Sequence, residues 1–255
     1  ASPSLASGNP ETNLQDPRRK KTARSTSTAS QELRFSWSSA QTVNMIALRY
    51  HNLTAAAQLA APTYSDSAFT TSIAANAAAN CFAYTGFANE DILTDADFRI
   101  LKNSARYLTL ATNVQSMKAT VTDAANPDGY FDLSRVFIGE YFEFTYGLPY
   151  GGLPLTFVDL SDTIDMADGS IVTNKAEKRR QLVLSPNAIP DSDRARFLSM
   201  IRQVGKEKDI WVSCLPEAGD YTEAYYQGAF KIVENPSLDR HFPGHSQTRL
   251  VLMET

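Results

Sequence analysis

Between Arg106 and Ile138 the sequence alternates apolar and polar residues with a period of two and breaks that alternation mainly at turn residues. Arg106-Tyr107-Leu108-Thr109-Leu110-Ala111-Thr112 and Met117-Lys118-Ala119-Thr120-Val121-Thr122 each place every second side chain on one face of an extended chain. That is the pattern of a half-buried strand. Asn126-Pro127-Asp128-Gly129 follows with turn chemistry, since proline presets φ at the second position and glycine accepts a positive φ. Tyr130 to Ile138 then resumes as a strand and stops at Gly139. Strands at near-regular spacing, each closed by turn residues, predict a β-sandwich or jelly roll.

The same reading extends in both directions. Leu33 to Trp37 and Thr42 to Leu48 are strands, with His51-Asn52-Leu53-Thr54 as a turn. The alanine-rich stretches 55–61 and 73–79 have helical propensity, yet Pro62, the Ser and Thr of 65–72 and the lack of charged i,i+4 partners favour strands around a long loop. Gly147 to Pro154 holds three Gly and two Pro in eight residues and marks a boundary. Beyond it, Ser170 to Val172 and Arg180 to Leu184 read as strands around a charged, hairpin-like stretch, Asn174 to Arg179. One helix is predicted, over about 191–204, with Asp191 or Ser192 as its cap, Phe197, Leu198, Ile201 and Val204 on one stripe, and Gly205 as its stop. Ile210 to Leu215, Tyr225 to Val233 and Thr248 to Met253 complete the strands.

The fold class is therefore mainly β: an N-terminal β-sandwich or jelly roll, then a smaller β domain with one packed helix. Three parts are expected, an extended polar arm over 1–31, the jelly roll over 32–146 and the second β domain over 147–255. The arm is assigned because 1–31 contains almost no apolar material and could not fold alone. Within it, Arg18, Arg19, Lys20 and Lys21 form a basic knot, with Arg24 close behind. The functional reading is an inter-subunit arm lying on an acidic neighbour, against the plainer one of a solvated turn.

With 255 residues, a formal charge of −4 and a pI near 5.4, the chain lacks the cationic excess that nucleic acid requires. No apolar run approaches the roughly 20 residues of a membrane-spanning helix, so no membrane insertion is expected. Ala1 to Pro10 lacks the basic-then-apolar order of a secretory signal, which fits a cytoplasmic product shorn of its initiator Met. Cys81 and Cys214 sit in apolar contexts and read as reduced, buried thiols.

No constellation assembles a reactive centre. His241 and His245 are four apart, but Pro243-Gly244 between them excludes the helix that would align two ligands. Glu140 and Glu143, three apart in an extended segment, face opposite ways and cannot flank one glycosidic bond. Asp159, Asp162, Asp165 and Asp168 lack the spacing and closing Glu of a calcium loop. No nucleophile elbow, phosphate loop or Cys-x-x-Cys is present. No enzyme activity, catalytic residue, metal or cofactor is expected. Among the aromatic residues, Trp37 and Tyr130 read as core, whereas Tyr84 and Phe87 are candidates for glycan contact.

Thr122 to Gly139, and Val43 to Leu48 with the His51-Asn52-Leu53 turn, resemble the galactose-binding-like (discoidin-like) jelly roll of tail-tip proteins of long-tailed bacteriophages. The second half is similar through the order of Leu184-Ser185, Ile189-Pro190-Asp191 ahead of a helix, the strand bearing Trp211, and the closing Thr248-Arg249-Leu250-Val251-Leu252-Met253-Glu254. The resemblance implies a virion structural protein of the tail tip or baseplate, ringed around the tail axis and joining tube, hub and fibres. The alternative it leaves is a carbohydrate-binding tail protein that recognises glycan on the host surface. The chain departs from sugar-binding jelly rolls in having no evident cluster of Arg, Asn and Trp on one loop, so no binding residues follow from the likeness.

Overall fold

The computed structural model describes residues 8–16, 18, 21–54, 56–81, 103–149, 153–167, 170–176, 178–216 and 221–255. Tyr84, Phe87, Arg19, Lys20 and Asp168 lie outside the described residues. The chain is mainly β, in antiparallel sheets with little helix. It divides into two units, Ala1–Tyr141 with Ser213–Gly228, and Phe142–Val212 with Ala229–Thr255.

The first unit contains β1 (Ala23–Arg24), β2 (Gln31–His51), β3 (Gln58–Ala60), β4 (Thr63–Tyr64), β5 (Ser72–Ala74), β6 (Ala79–Asn80), β7 (Asn103–Thr122) and β8 (Asp132–Gly139). Their order is β1-β8-β2-β7-β3-β6, with β4 pairing both β7 and β5. The sequence predicts two strands on each side of residues 38–41 and 113–116; the structure joins each pair into one long strand. β2 runs against β7 first as Gln31–Ser36 on Ser116–Val121, then, after register shifts, as Val43–Arg49 on Asn103–Ala111. Asn113 sits at φ 59 in this interruption, a conformation that Asn tolerates better than most residues. A bulge of this kind lets pairing continue while the strands bend and twist. The last third of β2 is flanked by β7 and β8 and is buried on both faces, whereas residues 36–41 are largely exposed.

The sequence predicts an extended arm over 1–31, but residues 11–15 form a 3-10 turn that puts Leu14 into the core, and Ala23 of β1 is buried against β8. One leucine supplies the anchor that composition alone underrates. Asn13 Nδ2 donates to the Thr22 carbonyl at 2.7 Å, and the Arg24 guanidinium makes two bonds of 2.8 Å to the Asp132 carboxylate. Tyr130 is not core: its ring lies 4.2 Å beneath the Arg24 guanidinium. Trp37 does pack against the core, half-buried.

The Asn126-Pro127-Asp128-Gly129 turn forms, with Gly129 at φ 73. It is held to the 51–54 turn by side chains. Buried Asp123 accepts from Thr54 N–H (2.8 Å), Thr54 Oγ1 (2.6 Å) and Asn126 Nδ2 (3.1 Å). Asn52 donates to Asp128 and Tyr130 and accepts from Asp132 N–H at 2.8 Å. Burial pushes the thiols of Cys81 and Cys214 up to about 12, so neither is an active thiolate at neutral pH; both are free of disulfides.

The remaining elements are β9 (Leu155–Asp159), β10 (Asp162–Asp165), β11 (Ile171–Asn174), β12 (Lys178–Leu184), β13 (Ile189–Pro190), α1 (Asp191–Val204), β14 (Ile210–Ser213), α2 (Tyr221–Tyr225), β15 (Gln227–Ile232), β16 (Leu238–Phe242), β17 (His245–Thr248) and β18 (Leu250–Glu254). A five-stranded sheet runs β14-β15-β18-β12-β9, a second runs β13-β17-β16, and β10-β11 stands as a pair. The predicted strand from Tyr225 begins instead at Gln227, because one helical turn, α2, precedes it and buries Ala224 in the first unit's core.

Helix α1 spans the predicted residues. Its N-cap position falls on Pro190, so Asp191 and Ser192 lie inside the first turn rather than at the cap, and Asp193 lies in the first turn. Asp193 accepts from Thr145 N–H at 2.8 Å, and a carboxylate there also complements the helix dipole. Gly205, at φ 56, ends the helix. Phe197 is buried against the rings of Phe142 and Phe144, whereas Leu198, expected on the apolar stripe, is exposed. Among the described residues, no helix is long and apolar enough to cross a membrane.

Candidate interaction surface

A projecting ribbon begins where β9 and β12 pair, Leu155 opposite Leu182 through Asp159 opposite Lys178. β12 is also paired with β18, but only through residues 181–184. Past Arg180 the β9–β12 pair therefore has no neighbour from β18 and, among the described residues, continues as two strands. Ser161 sits at the register change between the two pairings: its Oγ accepts from Ala176 N–H at 3.0 Å. β10 and β11 then pair Asp162 with Asn174, Thr163 with Thr173, Ile164 with Val172 and Asp165 with Ile171. Met166 N–H closes on the Ser170 carbonyl at 2.8 Å.

Every residue of β10 and β11 is exposed. Such a pair has no core of its own, and an isolated two-stranded hairpin is marginally stable in water. The exposed side chains are nonetheless apolar on both faces. Ile164 (52% exposed) and Val172 (47%) oppose each other on one face, Ile171 (68%) lies on the other, and Met166 (49%) sits by the turn. Phe157 and Leu160 add exposed apolar surface nearer the root. A cluster of large apolar groups on a thin projection is a mark of a surface that meets a partner.

Charge is segregated along the ribbon. Residues 160–174 contain three Asp and no Lys or Arg, whereas the return strand at the root carries Lys175, Lys178 and Arg179. Hydrogen bonds from the Ser161 hydroxyl and N–H, and nearby Lys178 and Lys175, hold the Asp159 carboxyl below its ordinary value. The root is fixed by Arg180, buried, whose Nη2 and Nε donate to Glu254 of β18 at 2.7 and 3.0 Å.

The sequence places a charged hairpin-like stretch at 174–179; β10 and β11 pair ahead of it instead, Met166 N–H meets the Ser170 carbonyl, and 178–179 lie inside β12. The missed signal is Asp168-Gly169, a strong hairpin dipeptide, flanked by Ile164 and Met166 before it and Ile171 and Val172 after it.

Of the basic knot, Arg18 and Lys21 are described and both are exposed. Arg18 donates to Asp16 through Nη2 at 2.6 Å and Nε at 2.9 Å, and this pair draws the Asp16 carboxyl down to about 2. His241 and His245 lie on either side of a tight turn at Pro243-Gly244 in the β16–β17 hairpin. Among the described residues, no group of three or more His, Cys, Asp or Glu is placed to hold a metal.

No family model matches the sequence, and no curated protein matches it. Among solved structures, the chain is similar to chitosan-binding module 1 of a chitosanase/glucanase from Paenibacillus sp. IK-5, at TM-score 0.38 and 15% identity over 54% of this chain and 90% of that one. It is also similar to a truncated AlyQ with CBM32 and alginate lyase domains, at TM-score 0.37 and 15% identity over 73% of this chain. This second match spans 46% of that chain's length.

Proposed function

We propose that this chain is a non-enzymatic structural subunit that works by assembling with copies of itself, in the setting its sequence resemblance implies: a ring at the tail tip of a long-tailed bacteriophage, between tube, hub and fibres. The observation that carries the assembly reading is the exposed β10–β11 ribbon, apolar on both faces and without a core. A ribbon of this kind gains little by remaining in water and gains apolar burial when a partner covers it. β9, the last strand of its sheet among the described residues, offers main-chain groups at the root to the same partner.

The test is sedimentation of the full chain beside Ile171→Ser/Val172→Ser. Removing two half-exposed aliphatic side chains from a covered interface costs about 2–3 kcal/mol, a dissociation constant roughly 30–150-fold weaker. The expected result is an oligomeric parent and a dissociated variant with the same far-ultraviolet circular dichroism, because neither side chain supports the fold. A monomeric parent at all concentrations sinks the reading. The rival, a carbohydrate-binding tail protein gripping host glycan through Tyr84 and Phe87, predicts saturable glycan binding that Tyr84→Ala or Phe87→Ala abolishes and that the serine pair leaves intact.

A further inference from the structure

We propose that Asp162 and Asp165 of the ribbon seat against Arg18 and Lys21 of a second copy of this chain; the proposal rests on the assembly reading above and names the surface that receives the ribbon.

The tip carries Asp162 and Asp165, both exposed, and the sequence has no Lys or Arg between residues 160 and 174. Two such tips repel each other, so a symmetric tip-to-tip contact is disfavoured, and the tip needs a receiving surface of a different kind and opposite charge. The N-terminal segment offers four cations in succession, Arg18, Arg19, Lys20 and Lys21. It is the longest run of one charge sign in a chain whose net charge is only −4. Asp16 takes up one of these cations, through Arg18. Arg18 remains well exposed at its side chain, 71%, so the pair with Asp16 is open to exchange. Lys21 is exposed, and its N–H donates to the Arg18 carbonyl at 3.0 Å, which ties these two residues together.

A ribbon tip meeting a different surface on the next copy is a heterologous contact, and repeated contacts of that type close into rings or run on as filaments. Exposed charges interact over about 8 Å at physiological salt. The attraction therefore acts only once the tip is seated, and it weakens as salt rises.

The test uses two charge reversals in the full chain, both at exposed positions. One is Asp162→Lys/Asp165→Lys at the tip; the other is Arg18→Glu/Lys21→Glu in the basic segment. Each alone is expected to raise the concentration at which the chain assembles by about tenfold or more. An equimolar mixture of the two is expected to recover assembly, because each reversed tip then finds a reversed segment on the other chain, and in mixed oligomers the two variants should alternate. If both variants assemble like the parent, or the mixture fails to recover while Ile171→Ser/Val172→Ser still dissociates the parent, this pairing is overturned and the assembly reading survives with a different receiving surface. If the parent itself is monomeric, both fall together.

Discussion

Replacing Glu254 by Ala is expected to destabilise the second unit by about 3–5 kcal/mol, the range for removing one partner of a buried ion pair. Arg180 is 1% exposed at its side chain, and Glu254 accepts from its Nη2, its Nε and its backbone N–H. The guanidinium also lies 5.5 Å from the Phe230 ring centroid. Without the carboxylate, the buried guanidinium loses the acceptor of its Nη2 and Nε. Changing both residues together, Arg180→Met/Glu254→Met, is expected to recover part of the loss, since neither charge then remains buried. Trp211 lies in the second unit and Trp37 in the first, so denaturant unfolding of a Trp37→Phe background reads the second unit. The midpoint should fall with the slope unchanged. A loss under about 1 kcal/mol would show that water reaches Arg180. The pair also fixes the root of the ribbon, so Glu254→Ala should weaken assembly in step with stability.

Asp123→Ala is the corresponding change in the first unit, with an expected loss of about 2–4 kcal/mol. The carboxylate is 2% exposed and receives three hydrogen bonds, two from Thr54 and one from Asn126. Alanine leaves the Thr54 N–H and hydroxyl without their acceptor and unties the 51–54 turn from the 123–129 turn. Asp123→Asn keeps one acceptor oxygen and the shape, and should lose roughly half as much. Unfolding followed through Trp37 in a Trp211→Phe background measures both. Equal losses for Ala and Asn would mean that charge, rather than the number of acceptors, holds the turns together.

Both networks show where sequence reasoning reaches its limit. Strands are legible wherever one face is buried, because the period-two pattern of Arg106 to Thr112 or Met117 to Thr122 records the core directly. The Asn126 to Gly129 turn and the Gly205 helix stop are legible for a similar reason: they depend on residues with narrow backbone preferences. The continuity of β2 and of β7 is not legible. It depends on a register shift and on Asn113 at φ 59, and nothing local distinguishes a bulge from a loop. The first 31 residues read as an arm because their average polarity hides one decisive side chain, Leu14. Asp123 with Thr54, and Arg180 with Glu254, join residues 69 and 74 apart, and single-residue patterns carry no sign of who pairs with whom. The ribbon was within reach through Asp168-Gly169. What hid it is that its apolar residues, Ile164, Ile171 and Val172, imitate a buried strand while lying in the open.

The most direct measurement of the account is a photoreactive side chain at position 171 of the full-length protein, with isotopically light and heavy copies mixed before irradiation. The account predicts light-to-heavy cross-links, formed at concentrations where the chain is oligomeric and lost on dilution. Cross-links confined to single chains, or none at all in the oligomer, would contradict it.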